Sequence, residues 1–383
     1  MTSLRLVVLD ANPPWVRSLF LAMPQEVEVH FLRVYHLPGC LRAASDPVRD
    51  LLRGRWIRPN VHERWVPTLG WRRFSRWTTS WIAGRVQDVV RRHGPVDWLV
   101  VTLPHYADTV KRLGMRTAYY SYDPYQFYAW WTDTMRERED WLLANCDLVT
   151  AVSRQQVEDF RPRTRGRLEW SPNATSEEFL RQVREAGGAK PAELAAIQGR
   201  IVGCVGQVGS AYDLDLVEEL ARRFADVAFV FVGPVAEPDP TQRARIDGIF
   251  SRPNVHWLGP RPHAELPYYL AHFDVCLNPL RAGPHADRRS PLRLYDYLTT
   301  DHPILSTPVR EAEGHAPHVR VVRDADGAAL SLRDLLGTEK AEALDSRREH
   351  ISRNTWTVRA REYLGCLGWW EEEGAVAVGS GRL

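Results

Sequence analysis

Short apolar runs alternate along the chain with longer stretches in which apolar residues recur every three or four positions. LRLVVLD (4–10) and DWLVVTL (97–103) are runs of strand length, and residues 80–93 between them have a helical pattern. The alternation repeats from IVGCV (201–205) onward. Continuous apolar strands that alternate with helices are typical of parallel sheets covered on both faces. The pattern predicts an α/β fold with two doubly wound, Rossmann-like domains.

The same pattern gives the expected domain boundaries. We predict an N-terminal domain over 1–182, a linker with Ala, Gly and Pro over 183–199, a C-terminal domain over 200–338, and a C-terminal helix and tail over 339–383. Open α/β sheets bind ligands beyond the carboxyl ends of their strands. The two domains are therefore expected to face a cleft.

Composition narrows the class of protein. The 383 residues carry a net charge of +2, which implies no bulk affinity for nucleic acid. The five cysteines are scattered and form no CxxC motif, so neither disulfides nor a metal site is expected. No signal peptide and no apolar run of membrane-spanning length are recognised. These features predict a cytoplasmic protein.

The stretch SPLRLYDYLTTDHPILSTP (290–308) is typical of a helix, a turn and a strand. Ser290 is a favourable N-cap residue, and Pro291 suits the first helical turn. Arg293 and Asp296 are three residues apart and share a helix face. The cation suits a diphosphate and the carboxylate suits ribose hydroxyls, whereas the alternative is a surface helix on which the two form an ion pair.

A set of ordered motifs in the second half resembles a known family. The motifs are GCVGQVG (203–209), FVFVGP (229–234), NVHWLGP (254–260), ELPYYLAHFDVCLNPL (265–280), SPLRLYDYL (290–298) and PILSTP (303–308). They resemble the nucleotide-sugar domain of the GT-B glycosyltransferases, most of all family 4 and its relatives. In the first half CDLVTAVSRQQVEDF (146–160) and SPNATSEEF (171–179) fit more loosely, and NTWTVRAREYL (354–364) resembles the closing helix of that family.

The resemblance implies a nucleoside-diphosphate sugar as co-substrate, with a UDP-sugar expected, and no further cofactor. Asp296 stands where a glutamate usually holds the ribose, and Arg293 where a lysine is often found. The backbone around Ser290 is expected to meet the diphosphate. By position, the donor contacts are expected at Gly206, Gly209, Ser290, Pro291, Leu292, Arg293 and Asp296.

Two departures from the family leave the stereochemical outcome open. Arg289 stands where many retaining members have a glutamate, and Tyr212 and Asp213 occupy the place of a basic pair. We expect arginines of the segment RAGPHADRR (281–289), including Arg289, to meet the phosphates instead. This form is similar to a subgroup in cell-surface polysaccharide assembly that includes inverting glucuronic acid transferases.

Residues for the acceptor are expected in the first domain. His105 and Asp123 each follow an apolar strand, so both belong at the carboxyl edge of the sheet. Asp123 is the candidate general base for an acceptor hydroxyl. The alternatives are an exposed turn histidine and an Asx turn before proline. Asn12, Trp15 and Tyr125 are candidates for the acceptor side or its loop.

No Asp-x-Asp motif has the apolar flanks used by metal-dependent transferases, and no metal is predicted. The sequence Asp213-Leu214-Asp215 opens a predicted helix, where one of the two acids is better explained as a helix cap, and DAD (324–326) is a weak metal candidate.

Residues 42–92 combine twelve arginines, four acids and five tryptophans. Arginines attract anionic headgroups and tryptophans favour the membrane interface. One hypothesis is that this basic tryptophan segment docks peripherally on the inner membrane face, near a lipid-linked acceptor. The alternative is that the tryptophans fill the core while the arginines face water.

Together these features predict a metal-independent glycosyltransferase that moves a sugar from a nucleoside-diphosphate sugar to a saccharide or lipid-linked acceptor in polysaccharide or glycoconjugate assembly. A nucleotide-sugar 2-epimerase and a degenerate GT-B scaffold or binding protein are the alternatives. The chain lacks the GxGxxG motif that a dinucleotide-dependent oxidoreductase requires.

Overall fold

The protein is described by a computed structural model that covers residues 4–37, 53–188, 190–337 and 344–369, with the side chains of residues 71–74 excepted. The chain divides into two compact units. The first unit comprises Met1–Pro172 and Trp356–Leu383, and the second comprises Asn173–Thr355. The beginning of the basic tryptophan segment (42–52) and the tail beyond residue 369 lie outside the described residues.

Among the described residues, eight strands form the sheet of the first unit in the order β3-β4-β2-β1-β5-β6-β7-β8. They are β1 (Leu4–Leu9), β2 (Val27–His36), β3 (Arg55–Arg58), β4 (Val61–Thr68), β5 (Trp98–Val101), β6 (Thr117–Ser121), β7 (Leu148–Ala151) and β8 (Arg167–Trp170). The pairs are parallel except for β3, which is antiparallel to β4. This edge hairpin was not expected, because charged residues and a proline interrupt its apolar positions.

The helices of the first unit cover this sheet. They are α1 (Pro14–Leu21), α2 (Trp71–His93), α3 (Ala107–Leu113), α4 (Asp133–Asn145) and α5 (Arg154–Phe160), with 3₁₀ turns at Pro104–Tyr106, Tyr125–Phe127 and Arg161–Arg163. Helix α2 begins nine residues before the predicted start at residue 80. No helix in the described part of the chain combines the length and the apolar character needed to cross a membrane.

The second unit contains a parallel sheet of six described strands in the order β11-β10-β9-β12-β13-β14. They are β9 (Ile201–Val205), β10 (Ala228–Val232), β11 (Val255–Trp257), β12 (Val275–Asn278), β13 (Ile304–Ser306) and β14 (Arg320–Val321). Strands β9, β10 and β12 are fully buried, as expected for apolar strands covered on both faces. The predicted α/β class with two Rossmann-like sheets is confirmed.

The second unit also holds ten described helices, of which several are single turns. They are α6 (Glu177–Glu185), α7 (Ala192–Ala195), α8 (Leu214–Arg223), α9 (Pro240–Phe250), α10 (Leu266–Leu270), α11 (Pro284–Asp287), α12 (Leu292–Leu298), α13 (Arg310–Glu313), α14 (Ala325–Leu336) and α15 (Leu344–Ser352), with 3₁₀ turns at Ala186–Gly188 and His263–Glu265.

The segment predicted as a linker is part of the second unit. Its boundary with the first unit lies at residue 173, ten residues before the predicted linker begins. Val183 on α6 and Leu194 on α7 are buried in the core of the second unit. The Ala, Gly and Pro residues of this segment therefore belong to short helices and turns and not to a linker. Val183 and Leu194 anchor these helices in the core.

The end of the chain returns to the first unit. The C-terminal helix predicted within 339–383 is two helices among the described residues, α15 and α16 (Trp356–Cys366), with a break before Trp356. Helix α16 packs against α1. Phe20 of α1 contacts Tyr363 of α16 edge-on, with ring centroids 5.7 Å apart, and also contacts Phe31 and Tyr120.

We predict that Phe20→Ala strongly destabilises the first unit. The ring is fully buried, so its removal leaves a cavity beneath α16 that costs about 3–5 kcal/mol in the free energy of unfolding. Urea unfolding followed by tryptophan fluorescence measures this loss. Leu330→Ala is the control, because Leu330 is 71% exposed and its removal should cost less than about 0.5 kcal/mol. Equal losses for the two variants would contradict the packing of α16 on α1.

Candidate active site

In each sheet the order of strands reverses direction next to the first strand. β1 lies between β2 and β5 in the first unit, and β9 lies between β10 and β12 in the second. The loops that follow the two strands on either side of such a point leave in opposite directions, which opens a crevice at the carboxyl edge. The candidate residues are found at these two crevices.

The turn after β9 requires glycine. Gly206 has a φ of 106°, which residues with a side chain rarely adopt. A Cβ on Gly233 would lie 2.1 Å from the Gly206 carbonyl oxygen, and one on Gly209 would lie 2.8 Å from the Ala236 carbonyl oxygen. The turn 206–209 therefore lies directly against the chain after β10, and only Gly206 and Gln207 of the turn are accessible to solvent.

Arg293 brings a cation to this turn. Its guanidinium donates a hydrogen bond to the Tyr212 hydroxyl at 2.6 Å and lies 4.8 Å from the centre of that ring. A Cβ on Gly206 would lie 3.0 Å from the Arg293 Nη2 atom. Tyr212 is buried, so it holds the guanidinium in place. Arg293 thus supplies, from helix α12, a positive charge at the turn where the basic pair of the family is missing.

Asp296 is nearly buried, with 5% of its surface exposed, and it contacts His263. The His263 Nε2 and Asp296 Oδ2 atoms are 3.3 Å apart, and the His263 ring stacks on Phe179 with centroids 4.7 Å apart. The hydrogen bond to Asp296 raises the pKa of His263 above its ordinary value. Arg293 and Asp296 therefore have different partners, and the simple ion pair of the alternative interpretation does not describe this helix.

The expectation that Ser290 caps helix α12 is wrong. The N-cap position is Pro291, and the helix begins at Leu292. The Ser290 hydroxyl instead donates to Glu311 Oε1 at 3.0 Å and accepts from the backbone N–H of Asn173 at 3.1 Å. The Ser290 hydroxyl therefore bonds to a buried carboxylate and not to the first N–H groups of helix α12.

Glu311 was missed by the sequence analysis, yet it organises the start of α12. The buried carboxylate accepts hydrogen bonds from Ser290 and from the Tyr295 hydroxyl. His315 lies 3.8 Å from the same carboxylate oxygen, and its Nδ1 atom is 2.9 Å from His350 Nε2. The side chain of Asn173 also donates to the Ser290 carbonyl oxygen at 2.6 Å. Glu311 and Asn173 thus hold Ser290 in place directly before helix α12.

The arginines expected to meet phosphates precede α12. Arg289 is half-buried and follows the single turn α11. The Arg288 guanidinium donates to the Pro284 carbonyl oxygen at 2.9 Å, and the Arg281 side chain is exposed. The backbone N–H of Arg281 bonds to the Ala211 carbonyl oxygen at 2.8 Å, which brings residue 281 beside the loop that follows the glycine turn.

In the first unit, a cavity of about 450 Å³ lies where β1, β5 and β6 end. It is lined by Pro13, Trp15, Leu103, His105, Tyr122, Asp123, Tyr125, Tyr128 and Trp130. Four residues that were predicted separately, Trp15, His105, Asp123 and Tyr125, therefore line one cavity. Tyr122, Tyr128 and Trp130 complete its aromatic wall.

The polar groups of the cavity have distinct surroundings. Asp123 accepts a hydrogen bond from the Tyr128 hydroxyl. His105 lies against Trp130, with ring centroids 5.1 Å apart, and desolvation lowers the pKa of His105 to about 4. The imidazole is therefore neutral at pH 7. Tyr125 presents its ring, because its hydroxyl donates to the Thr102 carbonyl oxygen at 2.6 Å and is already used.

Asn12 does not line this cavity. Its side-chain amide donates to Asp10 and to the Val34 carbonyl oxygen, which ties the loop to the end of β2. Asp10, which was missed, has a φ of 65°. Desolvation raises the pKa of Asp10 to about 7, although Tyr106 hydrogen-bonds to it and Arg33 is near. Asn12 and Asp10 thus shape the loop that carries Trp15.

A larger cavity of about 660 Å³ in the second unit is unrelated to the predicted residues. Asp213 and Asp324 in its wall are helix N-caps that accept from the backbone N–H groups of Leu216 and Gly327. The expectation that one acid of Asp213-Leu214-Asp215 is a cap is confirmed, and the capping acid is Asp213. Asp324 of the DAD sequence is a cap in the same way.

The chain was compared with known families and proteins. Residues 199–338 match the family described as "Glycosyl transferases group 1". A putative teichuronic acid biosynthesis glycosyltransferase, TuaH of Bacillus subtilis, is 24% identical over 176 residues, which cover 45% of this chain and 44% of that protein. The match thus spans less than half of the relative's length.

Solved structures share the fold over nearly the whole chain. A structure described as "Trehalose-6-phosphate from E. coli bound with UDP-2-fluoro glucose" has a TM-score of 0.69 and 14% identity, with 95% of this chain and 98% of that chain covered. HepE of Anabaena in complex with UDP and glucose has a TM-score of 0.64 and 12% identity, with coverages of 94% and 98%. At these identities the similarity establishes the two-domain fold alone.

We predict that Asp296→Asn lowers the pKa of His263. The carboxylate stabilises the imidazolium, so the neutral amide removes the cause of the raised pKa. A raised folded-state pKa adds stability that is present at low pH and is lost as pH rises through it, so the variant should lose most stability at acidic pH. NMR titration of the His263 ring measures the shift. Asp301→Asn is the control, and an unchanged His263 pKa in Asp296→Asn would contradict the contact.

Proposed function

Since residues 199–338 match the family described as "Glycosyl transferases group 1", we propose that the chain transfers a sugar from a nucleoside-diphosphate sugar to a saccharide acceptor. The observation that carries this proposal is that helix α12 places Arg293 at the glycine turn after β9 and, three residues further on, the nearly buried carboxylate of Asp296 beside His263. A cation beside an open backbone turn suits a diphosphate, and a nearly buried carboxylate suits ribose hydroxyls.

We propose UDP as the nucleotide. Support comes from the two solved structures of the same fold, which are described with UDP or a UDP-sugar derivative. The diphosphate would lie along Gly206 and Gly209, with the backbone of residues 290–292 on its other side. The network around Glu311 supports this role, because it fixes that backbone before any donor arrives.

The proposed reaction breaks the bond between the sugar C1 atom and the diphosphate oxygen. The electron pair leaves with the diphosphate, and the acceptor oxygen forms the new bond to C1. The leaving group gains negative charge in the transition state, so fixed positive charge there accelerates departure. Arg293 is held ready by Tyr212, and we propose that Arg281, Arg288 and Arg289 add to this charge.

We propose that the cavity of the first unit binds the acceptor. Its aromatic wall of Trp15, Tyr122, Tyr128 and Trp130 provides ring faces on which sugars stack. Asp123 would take the proton of the acceptor hydroxyl as general base. His105 is neutral at pH 7, so it would serve as a hydrogen-bond partner that orients the acceptor.

The acceptor is proposed to be a cell-surface polysaccharide precursor or a lipid-linked saccharide. The similarity to TuaH, which is described as a putative teichuronic acid biosynthesis glycosyltransferase, supports this class of acceptor. A binding protein without turnover is the second candidate, and Arg289 in place of an acid favours it. The two candidates differ in whether UDP is released.

We predict that two substitutions separate donor binding from chemistry. Asp296→Ala should weaken UDP binding by about 10–100-fold, because it removes hydrogen bonds to a charged group. Asp123→Asn should leave UDP affinity unchanged and lower the rate of UDP release from a UDP-sugar by about 10²–10⁴-fold. Calorimetry measures the affinity, and a coupled assay with a panel of saccharide acceptors measures release.

Asp215→Ala and Asp133→Asn are matched controls, because both carboxylates are more than four-fifths exposed and lie in the same units as the tested residues. Unchanged UDP affinity in Asp296→Ala would refute the ribose assignment. UDP binding by wild type without release from any donor and acceptor pair would favour the binding protein.

We also propose that the basic tryptophan segment contacts an anionic membrane. Trp65 is buried and belongs to the core, whereas Trp56 and Trp77 are 49% and 48% exposed. Trp77 stacks on Trp81 along α2, and Arg76 beside it is exposed. An exposed tryptophan next to an arginine suits the interface of an anionic bilayer. The exposed tryptophans thus support docking on a membrane, whereas Trp65 fills the core, as the alternative interpretation expects.

We predict that the double variant Arg76→Glu/Trp77→Ser loses flotation with vesicles of phosphatidylcholine and phosphatidylglycerol. The wild type should float with these vesicles and not with phosphatidylcholine alone, since the attraction is electrostatic. Arg361→Glu is the charge-matched control on an exposed position of α16. Flotation of the double variant at the wild-type level would exclude docking through α2.

A further inference from the structure

Three histidines and a glutamate meet on one face of the first sheet, near its outer edge. Glu28 and His30 are two residues apart on β2, so their side chains point to the same face. In the parallel register His30 is paired with His62 of β4. His93 is the last residue of α2 and lies against the same group, with its ring 4.5 Å from that of His30.

The ligating atoms of this histidine cluster are close together. Glu28, His30 and His93 each offer one side-chain oxygen or nitrogen atom, and these three atoms lie within 4.8 Å of one another. His30 Nε2 and His93 Nδ1 are 2.6 and 3.8 Å from the same Glu28 oxygen. The ring of His62 is 5.5 and 5.6 Å from those of His30 and His93.

The cluster is separate from the acceptor cavity. Glu28 and His30 lie in the first half of β2, and His62 is the second residue of β4. The cavity, in contrast, is lined by residues that follow the last residues of β1, β5 and β6. None of the proposed steps of sugar transfer uses these four side chains, so they are available for another role.

We propose that Glu28, His30, His62 and His93 bind a divalent transition metal ion, with zinc as the expected ion. Zinc binds imidazole nitrogen and carboxylate oxygen at about 2.0–2.1 Å in a tetrahedron, which sets neighbouring ligand atoms about 3.3 Å apart. The present separations of 2.6 and 3.8 Å lie on either side of this value. Shifts below about 1 Å would therefore bring both nitrogen atoms to a zinc-like distance from the Glu28 oxygen.

The kind of ion follows from the donor atoms. Three imidazoles with one carboxylate favour zinc and similar transition metals over Ca²⁺ and Mg²⁺, which need more oxygen ligands. Arg5 bonds both oxygens of Glu28, at 2.9 and 3.0 Å. A carboxylate has about four lone-pair positions, so Glu28 can bind an ion while it remains oriented by Arg5.

The second ring nitrogen of His30, which is not the atom that contacts Glu28, has no partner in the described part of the chain. His30 is fully buried, and its Nδ1 atom has no hydrogen-bond partner among the described residues. Buried polar atoms are normally satisfied, so such an atom needs an explanation.

The surroundings hold the rings in place and leave a path for an ion. A Cβ on Gly54 would lie 2.5 Å from His62 Cε1, so the chain before β3 packs directly on this ring. Trp56 contacts His30, His62 and His93 edge-on. Glu28 and His93 are about one-quarter exposed, and an ion can therefore enter from solvent on their side.

Calorimetric zinc titration of the full chain tests this proposal, with the protein prepared without a histidine tag and dialysed against a chelator. The expected result is one zinc ion per chain and a higher melting temperature with zinc. Co²⁺ in place of zinc should give the intense visible absorption of tetrahedral coordination. The absence of saturable binding, or a weak octahedral Co²⁺ spectrum, would overturn the proposal.

The matched variants are His93→Ala and His256→Ala. His93 is partly exposed at a helix end, so its loss is expected to leave the fold intact, which the melting temperature without zinc verifies. His93→Ala should weaken zinc binding at least tenfold. His256 lies on β11 of the second unit, and its replacement should leave the affinity unchanged. Equal affinity in the wild type and His93→Ala would overturn the assignment.

Discussion

Parallel pairing of the strands around β1 and β9 is the constraint on which both candidate sites depend. A parallel strand cannot be joined to its neighbour by a tight turn, so the chain crosses over the sheet through a helix. All loops that leave the carboxyl ends therefore collect at one edge. The reversal of strand order beside β1 and β9 separates two of these loops and leaves room for a ligand. The candidate binding and catalytic residues of each unit therefore lie in the segments that follow strands.

The candidate donor site also depends on the hydrogen bonds of a buried carboxylate. An ionised acid removed from water must be hydrogen-bonded, and Glu311 meets this need with the hydroxyls of Ser290 and Tyr295. Ser290 in turn holds Asn173, the residue at which the second unit begins. A single buried charge thus connects the start of the unit, the turn before α12 and helix α12 itself.

Much of the fold and part of the candidate site could be predicted from local patterns. Apolar runs identify the strands, and a residue directly after such a run must lie at the carboxyl edge, which is why His105 and Asp123 could be selected. Ser290 could not be understood in this way, because its cap preference is local and Glu311 lies 21 residues further on. The histidine cluster has no motif spacing either, and only the register of β2 with β4 brings His30 beside His62.

The return of α16 to the first unit affects how the polypeptide is made. A ribosome delivers residues 1–172 first, but the surface of α1 that packs against Tyr363 stays uncovered until 356–366 emerge. The second unit is one continuous stretch and is complete before that helix appears. The second unit can therefore reach its final structure during synthesis, whereas the first unit is completed last.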